Sequence, residues 1–88
     1  MKNILEHATI VDVRSKGEFL QGHFPGARNI PLDLVINKID DFREMEQPIV
    51  VYCRSGNRSG MALSILKQHG ITEVYNGGAL EELFKQTA

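Results

Sequence analysis

Val50-Val51-Tyr52-Cys53-Arg54-Ser55-Gly56-Asn57-Arg58-Ser59-Gly60 decides how the chain is read. An apolar run from Ile49 to Tyr52 meets the only cysteine, and small, polar or basic residues follow. A helical pattern then starts at Ser59 and runs through Met61, Leu63, Ile65 and Leu66. That order predicts strand, tight loop and helix, with a thiol at the strand's end. Free N–H groups of the loop and of the helix's first turn point inward in such a unit. The helix dipole adds partial positive charge at the same end. Arg54 and Arg58, two of five arginines, add full charges. Surroundings of this kind lower a thiol's pKa from its ordinary value of about 8.5. Cys53 is therefore expected to be a nucleophilic thiolate. It faces an anion pocket in which Arg54, Ser55, Gly56, Asn57, Arg58 and Ser59 bind the substrate. Gly56 and Asn57 suit a curled backbone, because both tolerate positive φ. A lone cysteine is more often a small buried hydrophobe, but the strand–loop–helix context favours the reactive role.

Upstream of this unit, residues 8–13 form a β-branched apolar run, read as the first strand. The run does not alternate, which implies burial on both faces, as in a parallel sheet. Asp12 near its end then needs partners, because unpaired burial of charge is costly. Its expected role is to tie loops together by hydrogen bonds, with a direct catalytic role as the alternative. Ser15-Lys16-Gly17-Glu18 fits a capping box, so a short helix is expected over residues 16–20. Gly22 to Ala27 is a turn-rich connector, with His23 expected to be structural. A second short strand is placed over 27–30. From Pro31, apolar residues at Leu32, Val35, Ile36, Ile39 and Phe42 have helical spacing.

Downstream, the helix from Ser59 is expected to run to about His69 and stop at Gly70. Residues 72–75 read as a strand, and Asn76-Gly77-Gly78 as the turn into a last helix over 79–85. The glycine pair is read either as a plain turn or as a loop passing close to the Cys53 cradle. Strands alternating with helices imply right-handed crossovers and an α/β fold, a small parallel sheet flanked by helices on both faces. Ligands bind beyond the carboxyl ends of strands in such sheets, which is where Cys53 lies.

At 88 residues the chain is expected to form a single domain over 1–88. A net charge of −1 gives no basic stripe for nucleic acid, so the local positive charge serves a small anion. One cysteine excludes an internal disulfide and any CxxC metal or redox motif, so no metal and no cofactor are expected. It also means that a modified Cys53 must be discharged by an outside acceptor. No apolar run approaches the roughly 20 residues of a membrane span. No signal peptide is read at the start, so the cytoplasm is expected, or the periplasm if a leader has been removed.

Taken together, several short pieces resemble the rhodanese-like domain family. They are Asp12-Val13-Arg14, Glu18 with Gly22-His23-Phe24-Pro25-Gly26-Ala27, Ile30-Pro31, the loop from Cys53 to Arg58, and Gly77-Gly78. The loop has the family's short length, whereas related cysteine phosphatases have one residue more. The resemblance implies a single-domain thiosulfate sulfurtransferase, similar to the small phage-shock type. Cys53 would carry sulfur as a persulfide, with a small anionic sulfur donor and a thiol or cyanide acceptor. Asp12, Arg14, Gly77 and Gly78 would support the site. The alternatives are a sulfur carrier or regulatory binding module without turnover, and a cysteine phosphatase or arsenate reductase. The family's tryptophan after the glycine pair is missing, and Leu80 or Leu83 is expected to fill its place.

Overall fold

The computed structural model describes residues 2–87. Four strands form one parallel sheet in the order β2-β1-β3-β4. They are β1 (Thr9–Asp12), β2 (Arg28–Asn29), β3 (Ile49–Cys53) and β4 (Val74–Ala79). Six α-helices connect and cover them: α1 (Lys2–Leu5), α2 (Lys16–Gln21), α3 (Leu32–Val35), α4 (Ile39–Glu44), α5 (Asn57–Gln68) and α6 (Leu80–Thr87). The parallel sheet with helices on both faces is as the sequence predicts. Among the described residues, no helix is long and apolar enough to cross a membrane.

All five residues of β3 are buried, so this strand lies at the centre of both packing layers. Side chains alternate across a strand. Ile49, Val51 and Cys53 therefore join one core cluster with Val35, Phe42, Ala62 and Leu66. Val50 and Tyr52 join the other, with Leu5, Ile10, Phe24 and Leu83. Leu83 is fully buried there and Leu80 packs at its edge. The capping box at Ser15 forms as read: Ser15 Oγ accepts from the Glu18 N–H while the Glu18 carboxylate accepts from the Ser15 N–H.

Several boundaries differ from the sequence expectations, each for a local reason. Helix α1 precedes β1 where no element was read, because its four residues are too few to show a period, yet Leu5 docks into the core. The helix expected after Pro31 is broken into α3, a 3-10 turn (Ile36–Lys38) and α4, none with a side-chain cap. Val35, Ile39 and Phe42 still reach the core while Ile36 is half exposed. Helix α5 begins at Asn57, two residues earlier than expected, and its buried stripe is Ser59, Ala62 and Leu66, with Met61 outside.

The largest difference concerns Asn76-Gly77-Gly78, which lies inside β4 and not in a turn. The pairing shifts so that Val51 faces Asn76 while Tyr52 faces Gly78, leaving Gly77 as an extra residue in a bulge. Gly78 takes a φ of +81°, where glycine is favoured. The two glycines do different things. A Cβ on Gly77 would lie 2.9 Å from Val50 Cγ1 and 3.0 Å from Leu83 Cδ2, so Gly77 admits α6 onto the sheet. Gly78 faces the loop after β3: a Cβ on Gly56 would lie 3.5 Å from the Gly78 Cα. Gly77→Ala is expected to cost about 1–3 kcal/mol by overpacking. Urea unfolding measures this, and an unchanged midpoint would show that α6 yields freely.

Candidate active site

Cys53 ends β3, and the chain must turn sharply to begin α5 four residues later. Gly56 makes that turn at a φ of +95° and stands just before the helix, with no side chain capping its first N–H groups. Those donors are left to the sulfur. The Gly56 N–H donates to Cys53 Sγ at 3.0 Å and the Ser59 N–H at 3.4 Å. Ser59 Oγ lies 3.4 Å from the same atom. Burial pushes the thiol pKa up, but hydrogen bonds from the Ser59 hydroxyl and from the Ser59, Ser55 and Gly56 amides outweigh it and bring the pKa below its ordinary value. The lowered thiol pKa follows the expectation. Its main lowering causes are the donors of Ser59 in α5, followed by the loop amides of Ser55 and Gly56. Of the two residues suited to positive φ, Gly56 adopts it and Asn57 is the first residue of α5; no residue other than glycine has positive φ among the described residues.

The two loop arginines are not equivalent. Arg58 forms a two-pronged ion pair with Glu18 of α2, Nη1 to Oε1 at 2.7 Å and Nη2 to Oε2 at 3.0 Å. That pairing holds the Glu18 carboxyl down at about 2. Arg58 was expected to meet substrate as a free charge, and here its charge is already balanced. Arg54 is exposed and has no ion-pair partner among the described residues. Arg54 also borders a cleft of about 620 Å³ with Arg14, Glu18, His23, Leu80 and Phe84, although Cys53 does not line it. His23 stacks on Phe19 at 3.7 Å and its Nδ1 lies 2.9 Å from the Phe19 carbonyl, a structural role as expected.

Because a carboxyl held low in the folded state stabilises the fold above its unfolded pKa, the Glu18 contribution is present near neutrality. It fades as pH falls from about 4.5 toward 2. Both partners are about a third exposed, so the effect is small. Glu18→Gln should melt a few degrees below the wild type at pH 7, and the gap should close near pH 2. A gap independent of pH would exclude the ion pair as its source.

Asp12 and Arg14 do not reach the sulfur. Asp12 is fully buried at the end of β1 and accepts from Arg14 Nε and Nη2, from the Arg14 N–H, and from Tyr52 Oη at 2.7 Å. Arg14 Nη2 also donates to the Gly22 carbonyl, and the Phe24 N–H donates to Tyr52 Oη. Burial pushes the Tyr52 phenol up, which keeps it a donor. This network ties the connector after α2 to the strand that carries Cys53.

Asn76 is the residue that sequence reading missed. Its Oδ1 accepts from Ser59 Oγ at 2.7 Å and from the Gly78 N–H at 2.9 Å, while Nδ2 donates to the Gly56 carbonyl at 3.2 Å. One side chain therefore joins β4, the loop and α5. A polar amide followed by two glycines suits a turn equally well, and only its place in the strand reveals the role.

The rhodanese-like domain family profile matches residues 1–81. The chain is 42% identical over 69 residues to the uncharacterized protein YqhL of Bacillus subtilis, spanning 78% of this chain and 54% of that one. It is 38% identical to thiosulfate sulfurtransferase PspE of Escherichia coli over 83% of this chain and 71% of the relative. A solved structure of an E. coli rhodanese with anions superposes with a TM-score of 0.77 at 37% identity, covering 85% of this chain and 89% of that one.

Proposed function

The chain belongs to the rhodanese-like domain family, and from that membership we propose that it moves sulfane sulfur from thiosulfate to a thiophilic acceptor, cyanide or a thiol, through a persulfide on Cys53. The observation that carries this reading is the convergence of the Gly56 N–H, the Ser59 N–H and Ser59 Oγ on one sulfur. Donors so placed stabilise a thiolate and the charge that returns to it at the end of each cycle.

In the first half-reaction the Cys53 thiolate attacks the outer sulfur of thiosulfate. The sulfur–sulfur bond of the donor breaks and sulfite leaves with the electron pair. In the second, the acceptor attacks the outer sulfur of the persulfide and Cys53 leaves again as thiolate, so cyanide yields thiocyanate. This is the two-step form of covalent catalysis. Arg54, which has no ion-pair partner among the described residues, attracts the dianion, whereas the charge of Arg58 is balanced by Glu18. Cys53 exposes 0% of its surface, and the loop residues beside it, Arg54, Ser55 and Asn57, are exposed.

Incubation with thiosulfate, intact mass measurement, and then addition of cyanide with a thiocyanate assay test the proposal. A gain of one sulfur atom that cyanide removes supports it. A sulfur that stays on the protein after cyanide would mark a carrier without turnover, and no gain at all would overturn the persulfide.

A further inference from the structure

Ser59 has one hydroxyl proton and two neighbours that can use it. Asn76 Oδ1 lies 2.7 Å from its oxygen and Cys53 Sγ lies 3.4 Å away. The orientation of the Asn76 amide follows from its other contacts: the Gly78 N–H donates to Oδ1 at 2.9 Å, and Nδ2 faces the Gly56 carbonyl at 3.2 Å. A flipped amide would set donor against donor and acceptor against acceptor. Asn76 thus presents a fixed acceptor. That acceptor keeps a partner, the Gly78 N–H, even when Ser59 turns away.

We propose that Asn76 and Ser59 form a hydroxyl rotor that follows the charge on Cys53 Sγ, with Asn76 the positioning residue that holds the proton whenever the sulfur does not need it. With a neutral thiol or with the persulfide formed, the Ser59 proton rests on Asn76 Oδ1. When Sγ becomes anionic the hydroxyl turns to it, because a hydrogen bond to a charged acceptor is the stronger one. The thiol proton goes to solvent, and the Ser59 proton never leaves its oxygen. During sulfur release the rotor turns as charge grows on the departing sulfur, so its gain is concentrated in the transition state and in the product. This assignment rests on the reading of Cys53 as the reactive thiolate.

Other charged and titratable groups lie on the elements packed around this end of the sheet. Arg54 lies in the loop, Arg58 of α5 is paired with Glu18 of α2, and Asp12 with Arg14 and Tyr52 lies at the ends of β1 and β3. Glu82 of α6 lies against Gly78, within 3.3 Å of where a Cβ would stand. Among the described residues none of these side chains shares a hydrogen bond with Ser59 or Asn76.

The test is a double-mutant cycle read by the pH dependence of iodoacetamide alkylation at Cys53, which requires no sulfur transfer. Its failure is thus separable from failure of the sulfurtransferase assay. Ser59→Ala should raise the alkylation midpoint by about one pH unit, and Ser59→Thr, which keeps the hydroxyl, should restore it. Asn76→Ala should lower the midpoint by freeing the proton for sulfur, and should do nothing in the Ser59→Ala background. An equal shift in both backgrounds, an upward shift, or no shift with Ser59 present overturns the rotor. Should Asn76→Ala not fold, as judged by circular dichroism, Asn76→Ser keeps a polar group one bond too short for the contact and carries the same expectations.

Discussion

Cys53→Ser is expected to form thiocyanate from thiosulfate and cyanide at least about 10³-fold more slowly than the wild type, and to gain no sulfur on intact mass measurement. The serine hydroxyl has nearly the shape of the thiol and finds the same donors, the Gly56 and Ser59 amides. Those donors can polarise it, but its proton is far harder to remove, and an oxygen nucleophile does not form the persulfide. The fold should be unaffected, since the substitution leaves one small side chain at the end of a buried strand. Stability is checked by thermal melting beside the kinetics. If mutant and wild type formed thiocyanate at equal rates, the sulfur would be travelling by a route that does not involve the cradle, and the function proposed above would fall with it.

The second large effect concerns the fold. Asp12→Ala removes the acceptor shared by Arg14 and Tyr52, and the Arg14 side chain is only 9% exposed. The guanidinium, whose pKa the Asp12 hydrogen bonds raise, cannot escape the penalty by losing its proton. A buried charge left without its partner costs about 3–5 kcal/mol. In a domain of this size that lowers the melting temperature by roughly 10 °C or more. The paired variant Asp12→Ala with Arg14→Ala should recover part of the loss, because it removes the stranded charge as well. A single-mutant loss under about 1 kcal/mol would mean that Arg14 reaches water in the variant and that the network is not the tie between β1, β3 and the connector.

The order of elements was legible because each carries its own local signal. The β-branched run of β3 and the apolar run before Asp12 read as buried strands, and the turn at Gly56 marks where strand yields to helix. Asp12 was also readable as a tie, because a charge in an apolar strand must find partners. The short α1 and the break after Val35 were not legible, since four-residue segments hold too little periodicity to identify. The reading of Asn76-Gly77-Gly78 failed more instructively. Those residues suit a turn and a bulge alike, and the choice depended on the neighbouring strand, far away in sequence.

Local patterning is enough to set the α/β order, the strand–loop–helix unit and the position of Cys53 at a strand's end, because propensity and hydrophobic period act over neighbouring residues. Tertiary structure alone decided which charges remain free. Glu18 lies 40 residues from Arg58, yet their side chains meet at 2.7 Å. It likewise placed Asn76, 17 residues beyond Ser59, within 2.7 Å of its hydroxyl. Contacts of this kind arise only when packing brings distant segments together, and one chain read along its length carries no local trace of them.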